Sequence, residues 1–313
     1  MPGFAAAEDI NLVLNWVPTA DHSPYFYARE MGWYEDAGID LAIESGSGSG
    51  AAAQRVGAGR SQIGIADMAT ALVAKSQGAD TVAVMTVYAN SPQGFYWLRS
   101  SGISGPEDFE GHSIGNPPAD AARVMWPLFA ETVGIDPDSV NFVNVSPQAK
   151  LTSLQSGAID ITSDFYNEHD LKVEQFGDDL GFVAWRDIGI NLYGNSIIVN
   201  PGFLDANPEL VEEFTQISQR AFHACVEDFE PCLDALTDNV SGLDRDNQRN
   251  QWERIKELMT DPTTTSVALG AFNAERMQED YDIVNTYFGF ETGFDVNEVF
   301  TNDFLDTSIT MPE

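Results

Sequence analysis

Apolar positions along the chain fall into two rhythms. Short β-branched and aromatic runs read as strands, and longer stretches with a period near 3.6 read as helices. The opening is strand, helix, strand, helix. Ile10–Leu14 forms an apolar run, and a segment from Pro24 to about Tyr34 has helical character and closes at Asp36-Ala37-Gly38. Ile39–Ile43 is a second strand, and the Gly/Ser loop 45–50 leads into an Ala-rich helix. Further strands are predicted at Ile63–Ala66, Thr81–Tyr88, Phe95–Leu98, His112–Gly115, Val140–Val145, Ala158–Thr162, Phe182–Trp185 and Ile197–Asn200. A helix is expected from Asn116–Asp120 to Val133. After Asn207-Pro208-Glu209, an N-cap with proline at the first helical position, periodicity is helical to about Phe288. Asp295–Thr310 reads as an irregular strap with a short helix.

Two stretches echo each other. Residues 54–67 and residues 149–164 each read as helix, Gly turn, strand and aspartate, ending at Asp67 and Asp164. The echo suggests two α/β lobes, each aiming a carboxylate off a strand end, where ligands bind in open α/β sheets. The expected architecture is an α/β fold with the block 96–198 inserted as a second lobe. Residues 1–95 and 199–313, with the C-terminal helices, make the first. Strands near 95–98 and 196–200 would cross between lobes as a two-stranded hinge.

Composition narrows the function. With 49 acidic and 15 basic residues in 313, the net charge is −34. Such a surface argues against nucleic acid or anionic lipid as a partner. It suits a protein in salty or extracytoplasmic fluid, where screening softens self-repulsion. No run of 18 apolar residues occurs, and Phe4-Ala5-Ala6-Ala7 resembles the start left by signal-peptide removal. Cys225 and Cys232 would lie roughly 10 Å apart on an unbroken helix, too far to bridge. A new helix beginning at Pro231 would make a disulfide feasible, with two free thiols as the alternative.

Catalytic signatures such as G-x-S-x-G, a P-loop or H-E-x-x-H are absent, and Gly46-x-Gly48-x-Gly50 lacks dinucleotide-loop spacing. Candidate chemistry is recognition instead. Trp16, beside Asn15 and near His22 at the first strand's end, could stack on a flat ring. Asp67 and Asp164 could accept ring N–H groups or simply cap helices. Tyr166, Asn167 and Glu168 follow Asp164 directly. Ser47 and Gly48 lead into one helix N-terminus and Asn116–Asp120 into another, both able to meet an anion. Asp120 could also pair with Arg123. Phe95, Tyr96, Tyr193 and Asn195 would line the hinge side. The candidate loops carry Asp21, Asp67, Asp120, Asp164 and Glu168, with Arg123 the one base identified nearby. That balance favours a neutral or cationic heterocycle bearing N–H donors, or a quaternary amine held by cation–π contacts, over a sulfonate or nitrate, while the two helix N-termini leave an anionic group on the ligand open. No metal or cofactor is expected.

Several spaced motifs also carry a family resemblance. They are Asn15-Trp16-x-Pro18-x-x-Asp21-His22-x-Pro24, Gly32-Trp33-Tyr34-x-x-Ala37-Gly38-Ile39-Asp40, Gly64-Ile65-Ala66-Asp67 and Ser156-Gly157-Ala158-Ile159-Asp160. Together, over roughly residues 10–235, they resemble the periplasmic binding proteins of ABC importers for thiamin pyrimidine precursors, taurine, alkanesulfonates and nitrate. The start is most similar to members that bind the aminopyrimidine precursor. The resemblance implies a type II-like, two-lobed clamp, expected to be monomeric and not an enzyme. It would deliver a small molecule to a membrane permease whose ATPase is a separate chain. The alternatives are a sulfonate or taurine binder, a sensor partner with the same clamp, and a pyrimidine-forming enzyme. That last branch of the superfamily uses iron and a cysteine-rich segment, and this chain departs from it in having only Cys225 and Cys232.

Overall fold

Ten short strands collect the apolar runs: β1 Glu8–Val13, β2 Ile39–Glu44, β3 Ile63–Asp67, β4 Val82–Thr86, β5 Gln93–Leu98, β6 Ser113–Asn116, β7 Asn141–Asn144, β8 Ile161–Phe165, β9 Leu180–Ala184 and β10 Asn195–Val199. The structure, a computed structural model, describes residues 7–291 and 293–312. Phe4–Ala6 of the cleavage-site reading lie outside the described residues. The strands make two five-stranded sheets, ordered β2-β1-β3-β10-β4 and β7-β6-β8-β5-β9. Each is mainly parallel, with one strand antiparallel to its neighbours: β10 between β3 and β4, and β5 between β8 and β9. Strands β3 and β10 are buried at every position because helices cover both faces.

The chain passes between sheets twice, through residues 87–92 and residues 185–194. Those links are bound to each other: Ser91 N–H donates to Asn191 Oδ1 at 2.8 Å, and Asn191 Nδ2 to Asn90 Oδ1 at 3.1 Å. The crossing is therefore made by loops, and β5 and β10 each lie wholly within one sheet. The second loop is pinned by the helix Ala274–Phe288. Tyr193 N–H donates to Asp280 at 2.8 Å, and the Arg276 guanidinium lies 4.2 Å from the Tyr193 ring centre. Burial pushes the Asp280 carboxyl up to about 7.

Several elements differ from the expected ones. The first helix is two, Ser23–Glu30 and Trp33–Asp36, because Gly32 takes φ +73° between them. The helix after Asp120 is likewise split, into Ala121–Val124 and Trp126–Val133. Strand β8 begins three residues later than its apolar run. Asp160 is drawn into a turn by Ser113, whose N–H and Oγ both donate to it at 2.8 Å. Asp164 consequently sits inside the strand rather than after it. The C-terminal strap covers the outer edge of β4 through a bridge from Phe300 to Ala83.

Cys225 and Cys232 form a disulfide with Cα atoms 5.8 Å apart. The helices Pro208–Glu227 and Glu230–Asn239 meet at an angle there, and both sulfurs are buried against the first sheet's helices. Closing a loop of this length restricts the unfolded chain by roughly 2.5 kcal/mol. The double variant Cys225→Ser, Cys232→Ser should lose about that much in urea unfolding, with ligand affinity unchanged.

Candidate functional site

Between the two sheets lies a cleft with about 460 Å³ of empty space, some of it continuous with solvent. The first sheet contributes Asn15, Trp16, Thr19, Asp21, His22, Gly48 and Ser49. The second contributes Gln93, Asp120, Ala121, Lys150 and the run from Ser163 to Phe165, followed by Asn167 and Glu168.

The first wall is braced by a buried polar knot. His22 is 1% exposed, and its Nε2–H donates to Asn15 Oδ1 at 3.0 Å, while Nδ1 accepts the Thr19 N–H at 3.1 Å. That bonding defines the neutral tautomer. Burial lowers the imidazole's affinity for a proton, and the nearby Asp21 only partly offsets this. Asp21 accepts Thr19 Oγ1–H at 2.6 Å and the Asn195 amide at 3.2 Å. Gly48 takes φ +144°, and a Cβ there would stand 2.2 Å from the Ala119 carbonyl, so only glycine lets the walls approach this closely.

The second wall is organised by Lys150, whose residue is 2% exposed. Its ammonium reaches Asp120 Oδ2 at 3.3 Å and Asp164 Oδ1 at 3.1 Å, and lies 4.8 Å from the Trp16 ring centre. Lys172 takes the other Asp164 oxygen at 2.8 Å. Burial opposes charge on Asp164, but the two lysines overcome it and hold the carboxyl below the usual carboxylate range. Burial likewise opposes charge on Lys150, and Asp120 with Asp164 more than restores it. Glu168 differs: burial pushes its carboxyl up, and Lys172 stands 3.8 Å away, beyond hydrogen-bond range.

Each helix N-terminus at the cleft is satisfied in part. Asp120 accepts the N–H groups of Ala122 and Arg123 at 3.0 and 3.3 Å. At the other terminus Gly50 N–H donates to the Ala119 carbonyl at 3.1 Å. What remains open is an acceptor. Asn167 is 3% exposed, and its Nδ2 is anchored to Gln251 Oε1 at 3.2 Å. Its Oδ1 has no partner among the described residues, a costly arrangement unless a ligand or water supplies one.

Of the residues singled out from sequence, Asn15, Trp16, His22, Gly48, Asp120, Asp164, Asn167 and Glu168 share this cleft. Others do not. Asp67 caps the helix Met68–Ser76, accepting Thr70 N–H at 3.1 Å, and steadies Gln93 at 3.3 Å from beneath; burial pushes its carboxyl up to about 6. Ser47 is exposed, and Ser49 takes its place in the wall. Phe95 lies among Phe109, Trp126, Phe129 and Trp185, and Tyr96 stacks on Phe182 at 4.6 Å, because β5 is an interior strand covered on both faces. Tyr166 faces Arg186 and Arg254, Tyr193 pins the crossover loop, and Asn195 backs Asp21. Arg123 turns out of the cleft to Asn144 at 2.6 Å, with no ion pair to Asp120 within 4.0 Å. The base in the pocket is Lys150. Its one textual signal is its place fourteen residues before Asp164, at the start of the helix Lys150–Gln155.

Comparison with known proteins fits this geometry. The NMT1/THI5 like family model matches residues 19–230. The chain belongs to that family. It is 24% identical over 303 residues to a 4-amino-5-hydroxymethyl-2-methylpyrimidine phosphate synthase of Legionella pneumophila, covering 95% of this chain and 92% of the relative. A formylaminopyrimidine-binding protein of Halalkalibacterium halodurans is 22% identical, covering 75% of this chain and 71% of its own. Among solved structures, the alkanesulfonate-binding protein SsuA of Xanthomonas axonopodis bound to MOPS superposes with a TM-score of 0.73 at 13% identity, over 95% and 99% of the two chains. The fold is thus the α/β periplasmic binding protein fold. No helix among the described residues is long and apolar enough to cross a membrane.

Removing Lys150 leaves two buried carboxylates facing each other. Lys150→Met should cost roughly 3–5 kcal/mol at pH 8. Adding Asp120→Asn, which neutralises the carboxylate left without a cation while Lys172 still holds Asp164, should recover much of that loss, as a double-mutant cycle by urea unfolding would record.

Proposed function

We propose that the protein is an extracytoplasmic solute-binding protein that captures a nitrogen heterocycle bearing N–H donors, of the thiamin pyrimidine precursor type. It would present this ligand to an ABC permease with a separate ATPase. The observation that carries the reading is the cleft's polarity. Its described lining holds four carboxylates (Asp21, Asp120, Asp164, Glu168) against one ammonium, and that ammonium is already shared by two of them. An anion entering here would meet no ammonium or guanidinium that is not already paired. A ring bearing an amino group would instead find Asn167 Oδ1 and Glu168 as acceptors, with Trp16 and Phe165 as apolar walls. The name of the formylaminopyrimidine-binding relative agrees with this polarity. Residues 1–95 and 199–313 would move as one lobe and 96–198 as the other, adjusted at the seams to the crossover loops. Ligand would favour the closed form and shift the population toward it.

The synthase name of the Legionella relative favours a second reading, a pyrimidine-forming enzyme. Among the described residues no group of three or more His, Cys, Asp or Glu could hold a metal ion, so the iron used in that branch has no evident ligand set here. A pyrimidine product detected by mass spectrometry after incubation with ferrous iron would establish that reading.

The binding reading is tested by a thermal-shift series with 4-amino-5-hydroxymethyl-2-methylpyrimidine, its formylamino analogue, thiamin, riboflavin, taurine and nitrate. A true ligand at ~100 times its Kd adds about 2.7 kcal/mol of stability. Aminopyrimidines should give that shift, and Trp16→Ala should weaken them about tenfold. A shift with taurine or nitrate alone would refute the proposal.

A further inference from the structure

The ligand-reading segment of the second wall is held by a helix of the first lobe. Asn167 and Glu168 follow β8, yet the segment's outward contacts go to the helix Arg245–Met259. That helix packs into the first sheet's core through Trp252, Ile255, Leu258 and Met259. Three contacts join the two. Gln251 Oε1 accepts the Asn167 amide, fixing which way that amide faces. Arg254 donates through Nε and Nη2 to the two Asp170 oxygens, both at 3.0 Å. The same guanidinium lies 5.2 Å from the Tyr166 ring centre, and Arg186 lies 4.1 Å from it. The end of the helix holds the first crossover loop, with Asn90 N–H donating to the Leu258 carbonyl at 3.0 Å and Asn90 Nδ2 to Thr260 at 2.9 Å.

We propose that Arg254 and Gln251 are positioning residues that latch the Tyr166–Asp170 segment to the first lobe, orient the Asn167 acceptor and set ligand residence time from outside the pocket. The inference rests on the binding reading and names the contacts that control it. A forked guanidinium–carboxylate pair tolerates little displacement. In this proposal, the rotation about the loops 87–92 and 185–194 that opens the cleft separates Asp170 from Arg254 and Asn167 from Gln251. On that premise the contacts favour the closed form and raise its population before ligand arrives. Apparent affinity scales with that population. Because Arg254 and Asp170 are each about a third exposed (29% and 31%), the latch should weaken with salt.

The test follows lobe separation directly. Met31, at the end of the helix Ser23–Glu30, and Val143, in β7 of the second sheet, are both exposed. Spin labels on Met31→Cys and Val143→Cys report the distance between lobes in the full chain. Dissociation of the aminopyrimidine probe is followed by stopped flow. Arg254→Ala should lengthen the ligand-free distance distribution and speed dissociation about tenfold. The exchange Arg254→Asp with Asp170→Arg should restore both in large part, which a merely structural role for the helix would not do. Wild-type distances after Arg254→Ala, or no recovery in the exchanged pair, would overturn the proposal. If no aminopyrimidine binds while the distances still respond, the ligand assignment fails and the latch stands.

Discussion

A buried ammonium, shared between two carboxylates, governs what the cleft can hold. Lys150 ties Asp120, the cap of a helix, to Asp164, a residue within β8, and lies over Trp16 from the opposite sheet. Each group alone would be costly to bury, and the Coulomb attraction of the set offsets the desolvation. The arrangement also uses up charge. With Lys172 on the remaining oxygen of Asp164, the positive groups of the pocket face inward to their own partners. In the proposed reading the ligand is left with acceptors and aromatic walls, and the internal salt network would act as a filter for ligand charge.

The fold supplies the geometry for that filter. Each parallel sheet brings the carboxyl ends of its strands to the cleft, where Asn15, Trp16, Asp164 and Phe165 emerge. Each antiparallel return strand comes from a crossover loop, so the two loops lie side by side and bond to each other. Opening must pass through them. The helix Arg245–Met259 then reaches from the first sheet's core to Asp170 and Asn167, which under the proposal would make it part of the binding apparatus.

Much of this was legible in the sequence. The β-branched runs located all ten strands to within a few residues, and the motif around Trp16 and His22 pointed to the family. Strand β5 was read correctly as a strand and its aromatics wrongly as pocket residues, because a strand covered on both faces has the same apolar text as one facing a cleft. Lys150 was missed for a related reason. A lysine at a helix start normally lies in solvent, and only the strands' relative placement puts Asp120 and Asp164 within reach of it. Asp67 and Asp164, equivalent in the text, diverge in space: one caps a helix and the other pairs with two lysines. Long-range charge pairing has no local signature.

The central claim is that the cleft selects a hydrogen-bond-donating ring and turns away anions. A crystal structure of the protein grown with 4-amino-5-hydroxymethyl-2-methylpyrimidine measures this most directly. The account predicts the ring against Trp16, its amino group within hydrogen-bond distance of Asn167 Oδ1 or Glu168, and Lys150 still bound to Asp120 and Asp164. A ligand held instead by an anionic group on Lys150, with either aspartate turned away, would contradict it.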